Sequence, residues 1–152
     1  MQTKAIHQFH PACLTGDGVT NGMLFTQRLL RSLGFRSEIY CEHVPPDLQK
    51  QILHVTQLVL EHEYVLLVHH SLGYENHFWI DALPAPKVMV YHNITPEQYL
   101  PEAGPLRRLS VLGRQQLGHW AGLFKGGIGD SAINTEELLQ AGFKQPKTIP
   151  LL

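Results

Sequence analysis

Histidines follow several apolar segments of this chain, at positions where a strand would end. They are His10, His69, His70 and His92, and Ser71 and Asn93 stand directly beside two of them. Imidazole donates hydrogen bonds to hydroxyl and phosphate oxygens and changes its charge near neutral pH. These residue types therefore favour a site for a ligand that is anionic or rich in hydroxyl groups. The alternative is that loop backbone groups satisfy the rings and that the histidines are structural.

A glycine turn, Gly-Asp-Gly-Val-Thr-Asn, occupies residues 16–21. Glycine allows positive φ and a close approach of backbone N–H groups, and the first turn of a following helix adds unpaired donors. Gly16, Asp17 and Gly18 are therefore predicted to bind an anion, above all a phosphate. The pattern G-x-G-x-x-N departs from the dinucleotide pattern G-x-G-x-x-G, so a turn without a ligand is the alternative.

Three other chemistries can be weighed for the same residues. Three imidazoles suffice for zinc, but the spacing of His10, His70 and His92 matches no metal motif, so no metal is expected. A nucleophilic Ser71 would need a G-x-S-x-G elbow, which is missing on its N-terminal side. Nicotinamide binding would use an acid such as Glu38 or Glu42, roughly 20 residues past the turn, but the third glycine is lacking.

Strands that alternate with helices would position these residues. Apolar runs predict strands at 4–10, 36–42, 64–68, 87–91 and 123–128, and a sixth strand or a linker at 147–152. Helical spacing predicts helices at about 19–33, 48–60, 75–83 and 106–120, and one that ends at Ala141-Gly142. This alternation predicts an α/β fold with an open, mostly parallel, doubly wound Rossmann-like sheet. We expect strand 87–91 to neighbour strand 4–10, which would aim His92 at the glycine turn.

Composition limits the classes of function. The 152 residues fit one domain, residues 1–152, and the 12 basic and 13 acidic residues give a net charge of −1. Such a balance attracts neither nucleic acid nor an anionic membrane surface. The longest apolar runs are too short to span a bilayer. Cys13 and Cys41 show no metal-ligand spacing, so we expect reduced thiols in a soluble, cytoplasmic protein.

Short motifs occur in one order along the whole chain. They are His-Gln-Phe at 7–9, Gly-Asp-Gly-Val-Thr-Asn at 16–21, Ser-Glu-Ile-Tyr at 37–40, His-His-Ser at 69–71, Tyr-His-Asn-Ile-Thr-Pro at 91–96 and Gly-Asp-Ser at 129–131. Together they resemble the N-terminal, acceptor-side half of a group 1 glycosyltransferase of family 4 and the GT-B kind. The resemblance implies a hexosyltransferase-type enzyme of two Rossmann-like domains, which moves a sugar from a nucleotide-sugar to an acceptor hydroxyl with retention. The C-terminal domain that binds most of the donor lies outside residues 1–152, and the apolar end at 149–152 resembles the crossing to it, so we expect this chain alone to be inactive.

The resemblance also assigns roles to the candidate residues. It places the glycine turn beside the phosphates or sugar of the donor and His92 at the sugar ring as the catalytic residue. The remaining acceptor or cleft candidates are His10, His70, Ser71 and Asn93.

The implied partners are a nucleotide-sugar, a glycan, lipid-linked or other hydroxyl acceptor, and the C-terminal domain in cis. No cofactor and no metal are expected, since no Asp-x-Asp pair occurs. A lipid-linked acceptor would bring the protein to the inner face of a membrane as a peripheral protein. The rival hypothesis is a non-catalytic Rossmann-like module that binds a nucleotide or phosphate ligand.

Overall fold

The computed structural model describes residues 4–59 and 63–150, in which strands and helices alternate. The strands are β1 Ile6–Ala12, β2 Ile39–His43, β3 Leu53–His54, β4 Val65–His70, β5 Lys87–Tyr91, β6 Gly126–Gly129 and β7 Lys147–Thr148. The α-helices are α1 Gly18–Ser32, α2 Phe78–Ala82, α3 Leu106–Ala121 and α4 Ala132–Ala141. Single 3-10 turns occupy Pro46–Leu48, Val55–Gln57 and Glu97–Tyr99.

Within the described residues, seven strands form one open parallel sheet in the order β3-β2-β1-β4-β5-β6-β7. Its first six strands follow the strand order of the Rossmann fold, in which the order reverses between β1 and β4. The predicted α/β class with an open parallel sheet is confirmed. The expectation that β5 neighbours β1 was wrong, because β1 pairs with β2 and β4. The continuous apolar run Val65–Val68 suits β4 to this central place in the sheet.

The chain divides into two compact units. The first contains β1, β2, β3 and α1, and its described residues are 4–59, 63–69 and 84–87. The second contains residues 70–83 and 88–150, and with them α2, α3, α4, β6 and β7. The prediction of one domain over 1–152 stays a prediction.

Local sequence signals decide where α1 begins and ends in the first unit. Asp17 is the N-cap residue, and its carboxylate accepts the backbone N–H of Thr20 at 3.2 Å. Beyond the last turn Gly34 takes a φ of +96°, which glycine adopts at little cost. The predicted helix at 19–33 is therefore confirmed to within one residue at each end. The apolar core of this unit contains Cys13, Met23, Ile39, Cys41, Leu48 and Ile52.

A disulfide joins Cys13 to Cys41, so the expectation of reduced thiols is wrong for this structure. Parallel pairing of β1 with β2 places Cys41 opposite His10 and His43 opposite Ala12. The N–H of Cys13 then donates to the carbonyl oxygen of His43 at 3.1 Å. This register brings the two cysteine Cα atoms to 6.5 Å, within the range that a disulfide spans. A separation of 28 residues in the sequence carries no sign of the contact.

The helix predicted at 48–60 is wrong. Leu53–His54 instead forms β3, which pairs with Tyr40 and Cys41 of β2. Val55, Thr56 and Val59 are β-branched, which lowers their preference for an α-helix, and Val55–Gln57 forms only a single 3-10 turn. Sheet pairing outweighed the apolar spacing that suggested a helix. Residues 60–62, at the end of the predicted helix, lie outside the described residues.

The long helix predicted at 106–120 is confirmed as α3 in the second unit. Glycine at 113 allows α3 to lie directly against the segment that follows β4, because a Cβ atom there would approach the backbone nitrogen of Gly73 to 2.8 Å. The side chain of Gln116 accepts the N–H of Tyr74 at 3.0 Å and donates to its carbonyl oxygen at 2.7 Å. These contacts fix the segment after β4 on the face of α3 that also buries Trp120.

The remaining predictions in the second unit differ from the structure mainly at their boundaries. The helix expected at 75–83 is shorter, and the strand expected at 123–128 begins later, at β6. The N-cap residue of α4 is Ser131, whose hydroxyl accepts the N–H of Asn134 at 3.2 Å. Gly142 ends α4 with a φ of +109°. For the C-terminal segment predicted at 147–152, the strand alternative is confirmed by the short strand β7, and residues 151–152 lie outside the described residues.

Candidate functional site

The glycine turn connects β1 to α1 in the first unit. Gly16 has a φ of +80°, which would strain most other residues. The carboxylate of Asp17 accepts both the N–H and the hydroxyl of Thr20, at 3.2 and 3.3 Å. A negative charge therefore already stands at this helix N-terminus, and a phosphate in the same place would be repelled by it. The backbone of Gly16 and Gly18, rather than the side chain of Asp17, is the part of the turn that suits an anion.

His10 lies near the carboxyl end of β1, in the same unit as the turn. Its Nδ1 atom donates to the carbonyl oxygen of Ala12 at 2.5 Å, since a carbonyl only accepts. Burial lowers the pKa of His10, and this outweighs the hydrogen bond to Ala12 and the charge of Asp17, which raise the pKa. The ring of His10 is thus largely neutral at neutral pH, and it lies close enough to the glycine turn for the charge of Asp17 to act on it.

Two other histidines of the first unit are buried and hydrogen-bonded. The Nδ1 atom of His7 accepts the backbone N–H of Glu38 at 3.0 Å. The Nε2 atom of His69 lies 2.8 Å from Oε1 of Gln8, whose amide group in turn donates to the carbonyl oxygen of Met23 at 2.9 Å. These contacts connect β4, β1 and α1, and they support a structural role for both rings.

The ring of His70 is directed at α3. Its Nε2 atom donates to the carbonyl oxygen of Gly113 at 2.8 Å, and its plane meets that of Trp120 edge-on with ring centroids 5.1 Å apart. Only 2% of His70 is exposed, whereas Ser71 directly after it is half-buried. A ligand would therefore reach Ser71 more readily than His70.

His92 follows β5 and faces a carboxylate. Its Nδ1 atom lies 3.6 Å from Oδ2 of Asp130, which follows β6. The side-chain amide of Asn134, in the first turn of α4, donates to the other carboxylate oxygen. The parallel register sets Tyr91 opposite Gly129, so the two residues that follow these strands meet at one edge.

Asp130 was not predicted as a site residue. The available signal was its place in Gly-Asp-Ser, directly after a predicted strand and before a helix cap. Acids at the carboxyl end of a parallel strand are well placed to meet residues from the next strand. The pairing itself depends on which strands are adjacent, and that was not available from the sequence.

The loop after β5 is fixed by α3 and α4. Ile94 is buried, its N–H donates to the hydroxyl of Tyr91 at 3.3 Å, and its carbonyl oxygen accepts from Arg114. The same hydroxyl donates to the carboxylate of Glu137 in α4. Burial and then this carboxylate raise the pKa of Tyr91, so the hydroxyl stays protonated. Asn93, immediately before Ile94, is exposed, and its amide is carried on an anchored backbone.

The predicted site residues fall into two groups, one in each unit. Those of the first unit are Gly16, Asp17, Gly18 and His10, and those of the second are His70, Ser71, His92 and Asn93. Within the second group, the N–H of His92 donates to the carbonyl oxygen of His70 at 2.9 Å. The carboxyl ends of the paired strands β5 and β6 therefore carry the predicted catalytic histidine and the carboxylate of Asp130.

No protein-family model matches this sequence, and no curated protein is significantly similar to it. Across residues 4–59 and 63–150, no helix combines the length and the apolar character needed to cross a membrane. The fold class and the contacts of the candidate residues are the observations from which a function can be argued.

Proposed function

We propose that this chain is the acceptor-side domain of a glycosyltransferase, which moves a sugar from a nucleotide-sugar donor to a hydroxyl of a glycan, a lipid-linked saccharide or another acceptor. The observation that carries the proposal is the buried imidazole of His92, which faces Asp130 at the carboxyl ends of two adjacent parallel strands. The Rossmann strand order supports it, because ligands of such sheets bind at the carboxyl ends of the strands.

His92 and Asp130 have separate roles in this proposal. Asp130 is a positioning residue that acts on Nδ1 and orients the ring. We assign the Nε2 atom to a hydroxyl of the donor sugar, where a hydrogen bond holds the reacting carbon as positive charge develops on it. The bond from the anomeric carbon to the diphosphate oxygen breaks and the acceptor oxygen bonds to that carbon. The proton of the acceptor hydroxyl then ends on the departing diphosphate.

The proposal requires a second, donor-binding domain, which holds most of the nucleotide-sugar. One domain alone neither excludes water from the reacting groups nor positions the donor against the acceptor. The expected site needs no cofactor and no metal for the transfer itself.

A second candidate function is that of a non-catalytic module which binds a phosphate-bearing ligand. The N-terminus of α1 at Gly18 favours it, because this helix follows β1, one of the two strands between which the strand order reverses. The carboxylate of Asp17 at the same helix end opposes it, because its negative charge would repel a phosphate.

Cytoplasmic location is part of the proposal, with contact at the inner face of a membrane if the acceptor is lipid-linked. The Cys13–Cys41 disulfide opposes this part, because disulfides persist mainly in oxidising compartments. A count of free thiols in protein alkylated at the moment of cell lysis tests it directly.

Sugar transfer from a set of nucleotide-sugars tests the function itself. The gene product that carries this chain together with a donor-binding domain is expected to transfer sugar, while residues 1–152 alone stay at background. Turnover by residues 1–152 alone would contradict the two-domain proposal. Saturable binding of a nucleotide without any transfer by the longer product would favour the binding module instead.

A further inference from the structure

A cluster of two imidazoles and one carboxylate lies in the second unit, among residues without a role in the proposed transfer. The Nδ1 atom of His77 lies 3.1 Å from Oδ2 of Asp81, and the Nε2 atom of His119 lies 2.9 Å from the same oxygen. These three atoms are all within 4.8 Å of one another. His77 and Asp81 stand one helical turn apart at α2, and His119 lies in the last turn of α3.

We propose that His77, Asp81 and His119 bind one Zn²⁺ ion. Zinc binds imidazole nitrogen and carboxylate oxygen at roughly 2.0–2.2 Å with tetrahedral geometry, which sets its ligand atoms about 3.3 Å apart. The two short distances in the cluster are already close to that spacing, so an ion can enter by small side-chain shifts. Two imidazoles with one carboxylate also suit zinc, copper or nickel better than calcium or magnesium, which prefer oxygen alone.

The surroundings of the cluster orient its carboxylate. The indole Nε1 of Trp120 donates to Oδ1 of Asp81 at 2.7 Å, which leaves Oδ2 as the oxygen that both imidazoles approach. Trp120 is itself fully buried and stacked on Phe124, with ring centroids 5.3 Å apart. A hydrogen bond of this kind to a ligating carboxylate restricts its orientation and strengthens metal binding.

The cluster is accessible from solvent and borders a cavity. The side chain of His119 is 49% exposed, whereas those of His77 and Asp81 are about one fifth exposed. His77 also lines an open cavity of about 530 Å³, together with Glu75 and Arg108, which form an ion pair at 2.9 Å. Three protein ligands leave one tetrahedral position for water or a small anion, as in zinc sites that are not purely structural.

The sequence contained a partial signal for this site. His77 and Asp81 are four residues apart in a segment that was predicted to be helical, which places them on one face. The third ligand, His119, comes from a different helix 38 residues later. Only the packing of α2 against α3 brings it within reach.

The plain alternative is that the imidazoles serve only as hydrogen-bond partners of Asp81. Calorimetric titration of the tag-free, chelator-treated chain with ZnCl₂ separates the two. We expect saturation at one ion per chain, and an affinity at least ~10-fold weaker in both His119→Gln and His77→Gln. Replacement by Co²⁺ should give the visible absorption bands of a tetrahedral site.

The matched control is His43→Gln, which removes an exposed histidine of β2 and should leave zinc binding unchanged. Circular dichroism and the melting temperature of each metal-free variant show whether it is folded. Absence of saturable one-to-one binding would overturn the proposal. So would wild-type affinity in a folded His119→Gln or His77→Gln protein. Loss of sugar transfer by the longer gene product bears only on the proposed function and not on this site.

Discussion

The carboxylate of Asp130 lies 3.6 Å from the Nδ1 atom of His92, across the carboxyl ends of two adjacent parallel strands. Asn134 donates to the other oxygen of the same carboxylate. The carboxylate that faces His92 is therefore itself held by α4.

From the proposed function, replacement of His92 by alanine is expected to remove about 2–4 kcal/mol of transition-state stabilisation in the longer gene product that carries a donor-binding domain. Asp130→Asn should lower turnover less, since it loosens the ring without removing it. Steady-state kinetics with a nucleotide-sugar measure both effects, and His43→Ala serves as an exposed control. Near-wild-type turnover of a folded His92→Ala protein would assign His92 a structural role only.

Reduction of the Cys13–Cys41 disulfide is expected to lower the free energy of unfolding by about 3–4 kcal/mol, because the bond restricts the unfolded chain over a long loop. Urea unfolding of the purified, oxidised chain with and without reductant measures the difference. The double variant Cys13→Ala/Cys41→Ala should not respond to reductant. Two free thiols per chain in the denatured, oxidised protein would contradict the structure.

Acid is expected to destabilise the fold through His7, whose pKa is lowered to about 4 by burial and then by the charge of Arg36. Above pH 6.5 the ring is neutral in both states and its full contribution to stability is present. As the pH falls from 6.5 towards 4, the unfolded chain binds a proton that the folded chain does not, so stability decreases. The total loss should be on the order of 2 kcal/mol.

Urea unfolding across that pH range tests the role of His7. His7→Gln keeps an acceptor for the N–H of Glu38 and does not titrate, so its stability should change less with pH. The rings of Tyr40 and Tyr64 pack against His7, and their raised pKa values keep them neutral in this range. His10 contributes in the same direction as His7, so some dependence should remain. An unchanged pH dependence in His7→Gln would show that other groups cause it.

Alanine at position 113 is expected to destabilise the protein by about 1–3 kcal/mol, through overpacking against the segment after β4. Its Cβ atom would lie 2.8 Å from both the nitrogen of Gly73 and the Cδ1 atom of Ile94. Gly118→Ala in the same helix meets open space and should instead stabilise by about 0.5–1 kcal/mol. Thermal unfolding of the two variants measures these opposite changes in stability. Equal changes in melting temperature would argue against the close contact of Gly113 with Gly73 and Ile94.

The sequence by itself determined the fold class and most elements, because their signals are local. These signals act between residues that are close in the sequence. They include the N-caps Asp17 and Ser131, the positive φ of Gly34 and Gly142, and the apolar run of β4. Apolar periodicity gave the wrong element where a segment pairs with a strand that lies farther away in the sequence. The segment at 48–60 has helical spacing, yet part of it joins the sheet beside β2.

Tertiary structure alone decided which residues meet. The pairing of β1 with β2 brings Cys13 to Cys41, and the pairing of β5 with β6 brings His92 to Asp130. Strand order also separated β1 from β5, against the sequence-based expectation. Such contacts depend on which strands pair and in what register, and the paired strands are far apart in the sequence. Composition, spacing and capping report only on residues that are close in the sequence. That is why the candidate histidines could be found from the sequence and their partners could not.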